Sequence, residues 1–237
     1  MRSAGQLADR PQGGAGCRRR DFAGRRRLPD WHGLTLTRRL FASLALFVAW
    51  SNSALAHEPA SGLEGFFIGL QHPLSEPAQI LLLLGLGVLA GGYLRRQLGW
   101  LTGAFLLTML GAMVADGVPF EPYEAMYATA VAACVLAALL PGRLLPLALA
   151  VLAFGGLWIG TASVPDPGPP GDRAITFFGS FVGAGLSVAY LAVVFAVIRN
   201  SYPWVWVPIA LRIVAAWIGA ISLLMLALMF APMTMPA

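Results

Sequence analysis

From Pro77 to Phe230 the chain is a succession of long apolar runs broken by short polar ones: Pro77 to Leu94, Trp100 to Gly117, Glu124 to Leu140, Leu144 to Thr161, Ala174 to Ile198 and Pro208 to Phe230. Each is about 17 to 25 residues long, the length at which a helix crosses the hydrocarbon core of a bilayer. Lipid offers no partner to a backbone N–H or C=O, so a spanning segment is a helix or part of a closed barrel. The long alternation of polar and apolar positions that a barrel needs is absent. The pattern therefore predicts an all-α, polytopic membrane bundle of six transmembrane helices occupying residues 57–237.

Residues 1–56 have a different pattern. Arg38 and Arg39 precede a short apolar stretch, Leu40 to Trp50, followed by Ser51-Asn52-Ser53 and Ala54-Leu55-Ala56. About eleven apolar residues are too few to span, and a positive start, an apolar centre and an Ala-x-Ala end make a secretory signal, with cleavage expected between Ala56 and His57. An uncleaved anchoring helix and a twin-arginine signal at Thr37 to Phe41 are the competing readings. The Arg-, Gly- and Pro-rich residues 1–33 lack apolar periodicity and read as a disordered basic leader.

Charge sharpens the division. The formal net charge of the 237 residues is +5, which by itself suggests a nucleic-acid partner. Ten of the 16 arginines lie before His57, however, and the remaining six face eight acids. Nucleic-acid binding is thereby excluded for the membrane part. The chain has no lysine, and its two cysteines, Cys17 in the leader and Cys134 within an apolar run, leave no disulfide for the processed protein.

The six later arginines also orient the bundle. Arg95 and Arg96, Arg143, and Arg199 fall in alternate intervals between helices, whereas Asp116, Glu121 and Glu124, and then Asp166 and Asp172 with Arg173, occupy the others. By the positive-inside rule the arginine intervals are cytoplasmic. This predicts a bacterial inner-membrane protein with both processed termini periplasmic. Tyr93, Trp100, Tyr202, Trp204 and Trp206 fall at helix ends, as an interfacial belt does. The glycine pairs Gly87/Gly91, Gly99/Gly103, Gly156/Gly160 and Gly179/Gly183 have the spacing that lets helices approach closely in lipid, and predict tight packing within the chain. Residues 165–171, Pro-Asp-Pro-Gly-Pro-Pro-Gly, read as a stiff loop.

Candidate chemistry is sparse. No Ser/His/Asp arrangement, paired carboxylates on one helix face, phosphate loop or CxxC motif is present, so the chain is not read as an enzyme. The candidate metal ligands are His72, Glu76 and His57. His72 and Glu76 offer nitrogen and oxygen donors at the mouth of the first long helix; the alternative for His72 is a turn residue donating to a nearby carbonyl. After cleavage His57 offers an α-amine and an imidazole together; its alternative is a frayed terminus. Asp116 is read as a headgroup residue or a cation site, and Arg212 as a snorkelling side chain. Met225, Met229, Met233 and Met235 are either packing residues or soft thioether donors.

The stretch Gly65-Phe66-Phe67-Ile68-Gly69-Leu70-Gln71-His72-Pro73-Leu74, running into an apolar Leu/Gly helix, resembles the start of the HupE/UreJ family of small membrane proteins. Leu211-Arg212-Ile213-Val214-Ala215-Ala216-Trp217-Ile218-Gly219-Ala220 is similar to that family's last helix, and helix number and loop spacing agree over about residues 57 to 230. The resemblance implies a nickel or cobalt permease supplying hydrogenase and urease maturation, with maturation proteins as partners and the metal as cargo. No resident cofactor is firmly implied, and the oligomeric state is left open. The family's H-P-x-x-G-x-D-H motif keeps His72 and Pro73 here, while its Asp is Ala78 and its second His is Gln79. Its second motif, F-H-G-x-A-x-G-x-E, falls on Trp158 to Asp166, with Ile159, Thr161 and Ser163 at ligand positions. These replacements predict weak nickel binding and leave a second reading, a non-transporting membrane accessory or assembly protein that has lost the ligands.

Overall fold

The structure is a computed structural model and describes residues 63–115, 122–164, 169–202 and 204–231. The leader, the cleavage position, His57, Asp116, Met233 and Met235 lie outside the described residues. The described chain is all-helical: α1 Leu63–Gln71, a 3-10 turn His72–Leu74, α2 Pro77–Gly91, α3 Arg95–Val114, α4 Tyr123–Leu139, α5 Leu145–Ala162, α6 Pro170–Ser201 and α7 Trp206–Met229.

All six expected apolar helices are in place as α2 to α7, with differences that have physical causes. α1 is an addition, a nine-residue helix whose buried side consists of Gly65 and Gly69. α2 breaks from it by 71° at the His72–Leu74 turn, where Pro73 and Pro77 interrupt the backbone donors. α6 begins at Pro170, so the end of the expected stiff loop, Pro170 and Gly171, is helical. Proline is tolerated in a first turn because its missing N–H has no helical partner there. α3 begins at Arg95 rather than Trp100, and the Leu94 N–H is capped by Gln97 Oε1 at 3.1 Å.

Four helices, α3, α5, α6 and α7, are long and apolar enough to cross a membrane, and α1 with α2 makes a fifth, bent span. α4, at 17 residues, is a shorter apolar helix. Among the described residues the bundle thus has four to five candidate spans and a shorter apolar helix; α2 alone has 15 residues and reaches spanning length only together with α1.

α2 is the axis of the bundle. Eleven of its residues are buried, as expected for a helix apolar on every side. It lies between α4 and α6 and also touches α5 and α7; α3 packs on α5, α1 on α6, and α4 on α7. Glycines set these approaches. A methyl at Gly156 or Gly160 would overlap backbone of Phe105 or Met109 on α3. One at Gly179 or Gly183 would overlap the Phe66 or Leu70 carbonyl of α1, and Gly87 and Gly91 receive Leu191 and Phe195 of α6. Backbones this close gain dispersion contacts, the principal attraction between helices in lipid. Gly99 and Gly103 depart from expectation: nothing lies within 4 Å of the space a side chain would fill.

The matched pairs also fix direction. Phe105 and Met109 meet Gly156 and Gly160 in increasing order on both helices, so α3 and α5 run parallel, as do α2 and α6. α2 and α3 are joined by a tight turn and run oppositely. Glu64, Glu76, Glu124 and Asp172 consequently gather at one end of the bundle with Arg173, and Arg95, Arg96, Arg143, Arg199 and Arg212 at the other.

The arginine end is tied by specific bonds. The Tyr93 hydroxyl donates to the Arg143 carbonyl, and Arg199 Nη1 donates to the Gly92 carbonyl. Gly142, at φ +70°, sits against the Gly92 carbonyl, where a side chain would meet that oxygen at 2.6 Å. Both the positive φ and the contact demand glycine. Leu144 follows at φ 53° and opens α5.

The acidic mouth as a candidate metal site

The first polar ring inside the acidic end is assembled by three elements. His72 begins the 3-10 turn and is half-buried, with Nε2 3.2 Å from the carbonyl oxygen of Ala162, the last residue of α5. That carbonyl has no partner within its own helix, so the imidazole supplies what the helix end lacks. A carbonyl only accepts, so Nε2 carries the proton and the neutral ring keeps its lone pair on Nδ1. Ser75 Oγ donates to the His72 carbonyl at 2.8 Å and closes the turn.

Glu76 caps α2 in extended conformation, φ −96° and ψ 124°, and its carboxylate acts electrostatically on the Tyr127 phenol of α4. Behind it, Ala78 and Gln79 point into the bundle with 2% and 1% of their surfaces exposed. Ser163, at the end of α5, is 2% exposed. Gln79 Oε1 and Ser163 Oγ are both buried without a hydrogen-bond partner among the described residues.

Helix register places these two groups near one level. Leu86 of α2 packs on Gly155 of α5, and the helices are antiparallel. Seven residues back along α2 is Gln79 and seven forward along α5 is Ala162, in each case two turns, about 10 Å, on the same face. By this count Gln79 falls near the level of Ala162, whose carbonyl His72 reaches. An unpartnered buried oxygen costs about 1–3 kcal/mol, and native structures hold few of them outside functional or hydrated sites. Two near one level mark a place suited to a water molecule or a cation.

The remaining sequence-derived candidates are placed differently. Ile159 is fully buried in apolar surroundings, and Thr161 Oγ1 donates to the Trp158 carbonyl at 2.8 Å. Met229 is 43% exposed on the bundle's outside. Arg212 is exposed and lies at the opposite end. Among the described residues no three His, Cys, Asp or Glu side chains gather closely enough to hold a metal ion. Residue type points to His72 and Glu76; burial and the lack of partners among the described residues add Gln79 and Ser163 as candidates.

Residues 44–228 match the model of the HupE / UreJ protein family, a match that covers most of the chain and includes α1 to α6 and nearly all of α7. No curated protein and no solved structure matches the chain.

Proposed function

The chain belongs to the HupE/UreJ family of membrane proteins, and from that premise we propose that it is an inner-membrane permease for a divalent cation, nickel or cobalt, received at the acidic mouth. The observation that carries this reading is the pair of unpartnered buried oxygens, Gln79 Oε1 and Ser163 Oγ, near the level of His72. On this reading they serve, with His72 Nδ1 and the Glu76 carboxylate, as a mixed nitrogen and oxygen donor set. Imidazole suits nickel and cobalt, whereas amide and hydroxyl oxygens favour harder ions, so this set holds the metal weakly and releases it readily. Glu64, Glu124 and Asp172 at the same end raise the local cation concentration. The orientation that follows from the arginines sets this mouth toward the periplasm, and the cargo serves maturation of a metalloenzyme such as a hydrogenase or urease.

One observation favours the second reading, a non-transporting accessory or assembly protein. Below Gln79 the centre of the bundle is apolar, with Leu82, Leu83, Leu86, Phe105, Met109 and Leu152 all fully buried. An ion crossing that layer would lose hydration without replacement, a cost of several kcal/mol. Metal uptake decides between the two. In cells lacking other nickel importers, the permease reading expects accumulation of nickel or cobalt that His72→Ala and Gln79→Leu each reduce at least severalfold. Accumulation equal to that of cells without the protein would reject transport and leave the accessory role.

A further inference from the structure

At the arginine end, opposite the mouth, a cavity of about 250 Å³ opens between α2, α4, α6 and α7. We propose that it is a binding site for the phosphate headgroup of an anionic phospholipid, held by Arg199 and Arg212.

The polar groups of the site are of one sign. Arg199 and Arg212 both line it, while its walls are apolar or backbone: Val88, Gly91, Phe195 and Pro208 among them. The described carboxylates, Glu64, Glu76, Glu124 and Asp172, are all at the other end of the bundle. Arg199 uses Nη1 on the Gly92 carbonyl, which fixes its guanidinium at the rim with donors to spare. Arg212 has no hydrogen-bond or ion-pair partner among the described residues. A guanidinium presents its donors in a planar fork that matches a phosphate, and it is weakly hydrated, so it exchanges water for phosphate oxygens at little cost.

Depth agrees with a headgroup. Tyr202, Trp204 and Trp206 stack in sequence just before and at the start of α7, with ring centroids 5.7 and 5.5 Å apart. Aromatic clusters of this kind sit at the membrane interface. Arg212 lies six residues beyond Trp206, about 9 Å further along the helix. Side chains on a helix lean toward its N-terminus, and Arg212 lines the cavity together with Pro208, two residues beyond Trp206. Lipid tails have a continuation as well. α6 and α7 touch each other only sparsely, α7 being held by α4, and Ile209, Ile213 and Val214 are exposed on the outer surface of α7. The occupant is therefore amphipathic, with a phosphate in the cavity and acyl chains along α7, which free phosphate is not. Basic pockets between helices at the membrane surface are a recognised setting for acidic lipids.

The test is retention and stabilisation by defined lipids. The full protein, purified and delipidated in neutral detergent, is titrated with phosphatidylglycerol, phosphatidylcholine or inorganic phosphate, and bound lipid is counted by native mass spectrometry alongside the unfolding temperature. Phosphatidylglycerol is expected to bind at one per chain and to raise the unfolding temperature, with phosphatidylcholine and inorganic phosphate ineffective at the same concentration. Arg212→Gln should weaken that binding about tenfold, the order of one charge-assisted hydrogen bond. Arg96→Gln, an exposed arginine at the same end but outside the cavity, should leave it unchanged. Arg212→Lys keeps the charge without the fork and should be intermediate, which covers the case in which the glutamine variant does not fold. Equal binding of phosphatidylcholine, equal loss with Arg96→Gln, or full stabilisation by inorganic phosphate alone would each overturn the proposal.

Discussion

His72 Nε2 lies 3.2 Å from the carbonyl oxygen of Ala162, a bond that joins residues 90 positions apart and closes the end of α5 with the turn that opens α2. It unites two readings of this histidine that sequence alone left as alternatives, because a ring that donates through Nε2 retains Nδ1 as a lone-pair atom. Metal-binding imidazoles are commonly oriented by just such a carbonyl.

The bond predicts a tautomer and a stability cost. Nitrogen NMR of the neutral protein should find the His72 proton on Nε2, and a proton on Nδ1 would contradict the geometry. His72→Ala should lower stability by about 1 kcal/mol, the net worth of one such bond. His72→Gln, which keeps an N–H donor, should retain most of it in the same thermal melts.

Glycine packing gives a paired prediction. Gly156→Ala forces a methyl onto the Phe105 carbonyl and the Thr108 hydroxyl, so α3 and α5 must separate, at a cost of about 1–3 kcal/mol. Gly103→Ala meets open space and should be neutral or slightly stabilising through helix propensity. Unfolding of the two variants in one detergent checks the contrast, and equal effects would show that α3 and α5 do not meet through Gly156.

These glycines also show what was legible in the sequence. The six apolar helices were readable because lipid imposes length and composition on anything that crosses it. Spacing could not tell Gly99 and Gly103, which touch nothing, from Gly156 and Gly160, since both pairs have the same four-residue interval and only the partner helix distinguishes them. α1 escaped because nine residues are too few to span and both of its buried positions are glycines. At the site, motif comparison found the positions of Gln79 and Ser163 from residue type. That both oxygens are buried without partners among the described residues depends on how the helices pack, a tertiary fact.

Tyr93 predicts a pH dependence. The residue lies between α2 and α3, 5% exposed, and its burial pushes the hydroxyl pKa above the ordinary 10.0. The folded state holds this proton more tightly than the unfolded one, so the associated stability is complete below about pH 10 and declines as pH rises through the raised value. Thermal unfolding between pH 8 and 11 should show that decline, and Tyr93→Phe should reduce it. The same variant loses the donation to the Arg143 carbonyl, worth about 1 kcal/mol at neutral pH.

Orientation and processing are tested together. Reporter fusions should be active outside the cytoplasm after residues 120, 168 and 237 and inactive there after 97, 142 and 200, with a processed mass beginning at His57. Reversal at two or more fusion sites would refute the orientation, and a purified protein that retains Arg38 and Arg39 would refute the cleavage.

The donor set at the mouth decides the metal chemistry. Nickel prefers imidazole nitrogen, and in the proposed site His72 is accompanied by carboxylate, amide and hydroxyl oxygens. Calorimetry should therefore find weak nickel binding that His72→Ala abolishes. Gln79→His puts a second imidazole where an unpartnered amide oxygen now stands, and should strengthen binding by at least tenfold. Adding Ala78→Asp has a less simple outcome, because Ala78 is 2% exposed and an unpaired carboxylate there loses its hydration, a penalty of several kcal/mol. The double variant should accordingly be less stable than the original without metal, and should recover stability when nickel is added, since a bound cation supplies the missing charge. Tight nickel binding by the original protein that survives His72→Ala would show that the ligands lie elsewhere. Failure of Gln79→His to strengthen binding would show instead that Gln79 and His72 do not converge on one ion.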